Sequence, residues 1–340
     1  MSRSAIHPFF GALLLGALSL VLVSSVSGAR NPQVVKDDLG HEFRLGAPPR
    51  RIVSLAPNVT EILFALRLGE NVVGVTRYCD FPAEASAVEK IGGLADPDLE
   101  KIQSLEPDLV LAYRGNPLEA VRKLRDLGLP VFVLDAGSKM EHLPALVSRI
   151  GAVTGKQTEA EALALRLKKD MDGVRNRLDR CASRVRAFLL LSGEGLWTCG
   201  SQSYVHDILD QASAVNVAAG IRRSWAPFSV EGLLAEDPDV LILMAGSRKV
   251  FGETASRIKN DPRLRHLKAV RRNRLVPLDE NKASRFGPRL VEAFAELARA
   301  LHPECFPPNA SPRPRRNSGG SPYNARRHEA APEKWRRLSY

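Results

Sequence analysis

Residues Gln157–Cys181 read QTEAEALALRLKKDMDGVRNRLDRC. The apolar residues Ala160, Ala164, Leu167, Met171, Val174 and Leu178 follow one another at steps of four, three, four, three and four, the stripe of one amphipathic helix. At 1.5 Å per residue such a helix spans roughly 35–40 Å, about the width of a small domain. No proline interrupts it, and only Gly173 weakens it. Strand–helix patterns of similar size flank it, so residues 156–182 are read as a rigid spacer joining two lobes, 30–155 and 183–306. The competing reading is a long surface helix within one domain.

Outward from the spacer, a hairpin is expected over residues 36–45, with Asp38-Leu39-Gly40 near its turn. Strands follow at 51–55, 72–75, 109–113 and 131–134, and helices at 61–68, from 99, at 118–127 and at 143–153. The second lobe repeats the rhythm, with strands at 187–191, 240–244 and 274–278 and helices at 204–212, 264–269 and 289–301. Strict alternation implies parallel sheets with helices on both faces, an α/β fold of two doubly wound lobes.

The lobes also share an internal repeat: LEKIQSLEPDLVLAYRG at 99–115 and VEGLLAEDPDVLILMAG at 230–246. Glu100 stands seven residues before Pro107, and Glu231 seven before Pro238. Each glutamate opens a helix and each Pro-Asp starts a strand, so the lobes present carboxylates at equivalent corners. An acid in a first helical turn also suits the helix dipole without any further role. Asp96 and Ser229 are read as the N-caps beside them.

The 340 residues are enough for two ordinary domains. The net charge of +11 would suggest nucleic acid until it is located: from Pro307 to Tyr340, eight basic residues face two acids, so this stretch carries +6. Rich in Pro, Ser, Asn and Arg, residues 307–340 read as a disordered basic tail, and no nucleic-acid partner is implied. At the other end, Arg3 precedes the apolar run FFGALLLGALSLVLVSSV (9–26) and then Ser27-Gly28-Ala29. That is the pattern of a signal peptide, residues 1–29, cut after Ala29, and it predicts a periplasmic, soluble protein. No cysteine sits at the junction to carry a lipid anchor.

Cys79, Cys181, Cys199 and Cys305 all lie in the exported part, where disulfides are permitted, and four cysteines allow three pairings. Cys79 and Cys199 are placed in loops of opposite lobes, where a bridge would clamp the lobes together. The histidines are scattered without ligand spacing, so no metal site is expected. Ser192-Gly193-Glu194-Gly195 lacks the order of a nucleophile elbow, and Thr154-Gly155-Lys156-Gln157 lacks that of a phosphate loop. No catalytic residue and no cofactor is expected.

RIVSLAPNVTEILFALRLG (51–69), VVGVTRYCDFP (72–82) and the repeat at 99–115 together resemble the substrate-binding proteins of vitamin B12, haem and iron-siderophore ABC importers. The resemblance covers residues 51–307 and is strongest to the members that bind vitamin B12. It implies a class III periplasmic binding protein fold, acting as a monomer, with two lobes on one backbone helix and ligand in the cleft between them. Glu100 and Glu231 take the positions of glutamates that pair with arginines on the two permease subunits. Tyr78 and Trp225 take those of aromatic side chains flanking a corrin ring. Tyr113 and Arg114 match an aromatic-basic pair at the cleft rim, and Asn281 and Arg285 a polar loop facing the cleft. Leu94 stands where the B12 binders have tryptophan, a departure that weakens the corrinoid assignment. A corrin is a broad, partly apolar disc fringed with amides, which suits aromatic walls and a few polar anchors. The ligand expected is therefore a corrinoid such as cobalamin, delivered to an ABC permease dimer. Haem is the rival, with Tyr78 or His206 as axial ligand. A ferric siderophore is another, held by Arg77, Arg114, Arg222, Arg223 and Arg285.

Overall fold

The computed structural model describes residues 34–181 and 183–307. The expected signal peptide and, apart from Pro307, the expected basic tail lie outside them. The chain opens with an antiparallel hairpin, β1 (Val34–Lys36) and β2 (Glu42–Arg44). The first lobe follows as β3 (Ile52–Ser54), α1 (Pro57–Ala65), β4 (Val72–Val75), α2 (Leu99–Ser104), β5 (Leu109–Tyr113), α3 (Leu118–Asp126), β6 (Val131–Leu134) and α4 (Leu143–Thr154). Then comes the spacer, α5 (Gln157–Cys181). The second lobe runs β7 (Val185–Leu191), β8 (Trp197–Cys199), α6 (Tyr204–Gln211), β9 (Ala214–Asn216), β10 (Trp225–Pro227), α7 (Val230–Glu236) and β11 (Val240–Ala245). It ends with α8 (Arg248–Asn260), α9 (Lys268–Arg271), β12 (Leu275–Asp279), α10 (Glu280–Ala283) and α11 (Arg289–Leu301).

Each lobe holds one four-stranded, wholly parallel sheet, β4-β3-β5-β6 in the first and β12-β11-β7-β9 in the second. Written from its other edge, the second sheet is β9-β7-β11-β12, the same winding order as the first. Both faces of each sheet are buried, which is why the strands are continuous apolar runs. Alternate residues part to opposite sides. Val110 and Ala112 join one cluster with Ile102, Val121 and Leu124 of α2 and α3. Leu109 and Leu111 turn the other way, into a cluster that also holds Ala187, Leu189, Ile242 and the apolar stripe of α5. One core thus passes from lobe to lobe through the spacer, whose buried face is Ala160, Leu163, Ala164, Leu167, Met171, Val174 and Leu178. At Gly151 of α4, a Cβ would come within 2.2 Å of the Ala160 Cβ, so glycine is what lets α4 lie against α5.

The repeat holds at the level of single bonds. The residue before α2 is Asp98, whose carboxylate accepts from the Lys101 N–H; before α7 it is Ser229, whose hydroxyl accepts from the Gly232 N–H. The first cap is therefore Asp98 and not Asp96, which lies two residues too early and is taken by Arg77 instead. After each helix comes a residue of positive φ (Glu106, 44°; Asp237, 37°), then Pro-Asp and the strand. Arg51 donates to the Leu105 carbonyl at the end of α2 (2.6 Å), and Arg186 to the Glu236 carbonyl at the end of α7 (2.9 Å). Two guanidiniums thus cap the two helix C-termini, where carbonyls and the dipole favour a cation.

Several boundaries shift. The helix expected at 61–68 begins at Pro57, because proline suits the first helical position, and it is over before Arg67 turns to φ 62°. The helix expected at 264–269 forms at Lys268–Arg271. Among the described residues no helix is long and apolar enough to cross a membrane.

Cys79 and Cys199 do not bridge the lobes. The disulfide joins Cys181, the last residue of α5, to Cys305 beyond α11, with Cα atoms 5.8 Å apart, and Cys79 and Cys199 are free and buried. Burial pushes the Cys199 thiol up to about 12, so it stays protonated. The disulfide spans 124 residues of chain; closing a loop of that length in the unfolded state contributes about 4–5 kcal/mol. Cys305→Ser should therefore lower Tm by about 10 °C in a calorimetric scan. An unchanged Tm would show that α5 and α11 hold together without the bond.

Candidate functional site

The loops at the C-terminal ends of the two sheets converge where the lobes meet, the usual ligand position in open parallel sheets. From the first lobe come residues 77–82 after β4, 92–97, and 113–116 after β5; from the second come the β8–β10 ribbon, the start of α6 and residues 279–289.

Tyr78 is 52% exposed. The Arg77 guanidinium stands 5.7 Å from its ring centroid and is paired with Asp96 at 2.6 Å. That pair ties the Tyr78 loop to the Leu94 loop and holds the Asp96 carboxyl below its usual range. Gly93 permits the approach, since a Cβ there would lie 2.2 Å from Asp96 Oδ1. The loop after β5 is fastened to the same segment by Asn116, a buried residue that sequence reading passed over. Its amide donates to the carbonyls of Leu55 and Leu94, both at 3.0 Å, and its oxygen accepts from the Tyr113 N–H at 2.7 Å. The Leu94 and Tyr113 segments are thereby joined, and both side chains pack on the core that runs through both lobes.

Trp225 sits in β10, paired across an antiparallel ribbon with Cys199 of β8. The ribbon was not expected from sequence; two three-residue strands give too little pattern. Half-buried, Trp225 packs against the same core as Leu94 and Tyr113. Tyr204, not among the residues expected at the cleft, opens α6 where a helix was expected, behind the Ser203 cap, and stacks edge-on against Phe286, centroids 5.3 Å apart. Burial raises the phenol of Tyr113, and burial, then the nearby Tyr113, raises that of Tyr204. Both hydroxyls therefore stay neutral, and they lie near one another from opposite lobes.

The basic residues of the cleft are largely engaged. Arg114 pairs with Asp135 at 2.6 Å, and the Asp135 carboxyl lies low despite partial burial because the Gly137 N–H and Arg114 stabilise its charge. Arg285 does not present its guanidinium to the cleft. It donates to Asp80 (2.5 Å), to the Tyr78 carbonyl (3.1 Å) and to Glu61 (3.4 Å). Asn281 lies in α10 rather than in a loop and donates to the Gly246 carbonyl at 2.9 Å. Both expected anchors are thus committed to protein, because a partly buried polar group takes the nearest available partner. Arg222 and Arg223 are exposed and, among the described residues, make no ion pair; they lead into Trp225.

An open groove of about 770 Å³ lies behind this boundary, walled by Phe64, Phe81, Arg166, Arg289 and Glu292 among others; none of the expected ligand residues lines it. Among the described residues no three His, Cys, Asp or Glu side chains gather as a metal site. Glu100 and Glu231 are exposed, each at the second position of its capped helix, α2 and α7.

The model of the family described as periplasmic binding protein matches residues 52–282. The ABC transporter substrate-binding lipoprotein YvrC of Bacillus subtilis is 28% identical over 281 residues, 81% of this chain and 87% of that protein. The vitamin B12-binding protein of Salmonella typhi is 30% identical over 252 residues, 74% of this chain and 90% of that protein. Among solved structures, the periplasmic heme-binding protein RhuT from Roseiflexus in apo form superposes with a TM-score of 0.68 at 27% identity, covering 75% of this chain and 99% of that one.

Proposed function

This chain belongs to the periplasmic binding protein family, a family of substrate-binding transport proteins and not of enzymes, and on that premise we propose that it captures a corrinoid, cobalamin or a close relative, between its lobes and hands it to an ABC permease. The observation that carries this reading is the state of the cleft arginines. Arg77, Arg114 and Arg285 are neutralised by Asp96, Asp135 and Asp80. A ligand entering this cleft finds few free cations for carboxylates or catecholates. It finds instead aromatic faces from both lobes, Tyr78 and Trp225, and the two neutral phenols of Tyr113 and Tyr204. Those groups suit a large disc whose edge is neutral amide: the faces take ring surface and the hydroxyls hydrogen-bond to the fringe. Likeness to a vitamin B12-binding protein over three quarters of the chain supports the same ligand class.

Haem is the second reading, favoured by the likeness to RhuT and by Arg222 and Arg223, which could meet propionates. Binding a ferric haem through Tyr113 or Tyr204 would need the phenolate, which their burial disfavours. In either reading the protein is an exported component acting outside the inner membrane, and exposed Glu100 and Glu231 are its contacts with the permease.

Isothermal titration of residues 30–340 with cyanocobalamin, haemin and a ferric siderophore separates the readings. One-to-one binding of cyanocobalamin, with no comparable heat from the other two, is expected. Saturable binding of haemin with none of cyanocobalamin would replace the corrinoid by haem and leave the importer role standing.

A further inference from the structure

We propose that Arg285 and Asp80 are positioning residues for Tyr78, parts of a strap by which the second lobe holds the aromatic wall of the first. The proposal rests on the reading of Tyr78 as a ligand wall. Tyr78 has half its surface in water, and among the described residues no other aromatic ring packs on its own; apart from the Arg77 guanidinium over the ring, its place must come from the loop that carries it. On the first-lobe side that loop is fixed by Arg77, through Asp96 and through the hydrogen bond from the Arg77 N–H to the Gly92 carbonyl at 2.8 Å. Cys79 is held within the first lobe as well, by the Lys90 ammonium on its carbonyl at 3.1 Å and by the Thr60 hydroxyl on its sulfur at 3.2 Å, whereas Tyr78 and Asp80 on either side of it take a side-chain anchor from the second lobe. Arg285 grips the loop at two points that bracket the Tyr78–Asp80 turn, the Tyr78 carbonyl and the Asp80 carboxylate. Arg289 stands over the next side chain, Phe81, with its guanidinium carbon 3.8 Å from the ring centroid.

Both arginines are anchored behind the loop by one carboxylate. Glu61 of α1 receives Arg289 through two bonds, Nε to Oε2 at 3.1 Å and Nη2 to Oε1 at 2.5 Å, and receives Arg285 at 3.4 Å. The Glu61 side chain is 2% exposed and that of Arg285 13%. This is therefore not a surface pair screened by water; removing one partner strands charge in a buried setting. Asp80 is the accessible end of the network, and Arg285 holds its carboxyl below the usual range. Because residues 78–82 and 281–289 belong to different lobes, the wall has its full set of anchors only while the lobes are together. Separation of the lobes would break the strap and release Tyr78, loosening the ligand at the moment of delivery. A wall held in place beforehand spares the ligand the cost of ordering it.

Asp80→Asn is the cleanest test, since it keeps shape and removes charge at an exposed end; an unchanged Tm serves as the folding control. In ligand-free protein, amide hydrogen exchange in residues 77–82 should quicken, with the β3 and β5 amides unchanged. With cyanocobalamin, Asp80→Asn should weaken binding about tenfold, the scale of losing one charge-assisted hydrogen bond. In a Tyr78→Ala background it should cost nothing further, because a positioning residue acts only through the group it positions. A full additional loss in that background would overturn the proposal, as would unchanged exchange in 77–82. Should wild-type protein take no cyanocobalamin, the corrinoid reading fails, and the exchange measurement still decides whether the strap holds the loop.

Discussion

Trp225→Ala should weaken cyanocobalamin binding by about a hundredfold while lowering Tm by only several degrees, leaving the protein folded. The tryptophan backbone pairs with Cys199 and Ala226 pairs with Thr198, so the β8–β10 ribbon keeps its ladder whatever the side chain. One side of the indole lies on the core shared by the lobes, and the rest stays uncovered in the ligand-free chain. If a corrin covers about 100 Å² of that remaining surface, at about 25 cal/mol per Å² the loss is about 2.5 kcal/mol, close to two orders of magnitude in Kd. Trp225→Phe keeps a smaller face and should fall between. Titration calorimetry on the three proteins checks the ranking. Unchanged affinity in the alanine variant would put the ligand away from β10, and with it the two-walled cleft would go.

What sequence could and could not say follows from which signals are local. The spacer was legible to the residue because its stripe is periodic over 25 residues and proline-free. The repeat was legible because Glu-to-Pro spacing is counted along the chain. Its fine structure was not: Arg51 and Arg186 reach carbonyls at helix ends 54 and 50 residues away. Helix α8 was missed because Gly252 and a polar majority interrupt Val250, Phe251, Ala255 and Ile258. The cysteine pairing was left open because nothing in spacing brings Cys181 to Cys305; only the packing of α5 beside α11 does. Arg285 was read as a ligand anchor for the same reason. Its partners Asp80 and Glu61 precede it by 205 and 224 residues, and no local pattern announces them. Tyr78 and Tyr113 do reach residues of the second lobe, and Leu94 and Trp225 pack on the core that both lobes share, but what fastens these segments, Asn116 and the arginine network, belongs to tertiary structure.

The double variant Glu100→Arg, Glu231→Arg should bind cyanocobalamin as the wild type does and yet support no uptake. Both side chains are exposed and, among the described residues, neither forms a salt bridge or hydrogen bond; Glu231 gives up only a Coulombic attraction to Arg263, so reversal breaks little inside the protein. Each does lose a favourable place in a first helical turn, worth about 0.3–1 kcal/mol, which a protein of this size tolerates. What changes is the face offered to the permease. The two glutamates stand at the same step of the same repeat, second residue after an N-cap whose side chain accepts from the third N–H, once in each lobe. A partner with two related subunits could engage both corners at once, and arginines on its surface would then meet arginines here. Like charges brought together at an interface cost several kcal/mol apiece, enough to abolish a complex of moderate affinity. One substitution alone leaves the other corner intact and should reduce uptake without ending it. The measurement is accumulation of labelled cyanocobalamin in cells carrying the cognate importer, beside titration of the purified variants. Normal uptake by the double variant would dismiss the docking role and leave the equal spacing of Glu100 and Glu231 as a matter of helix capping.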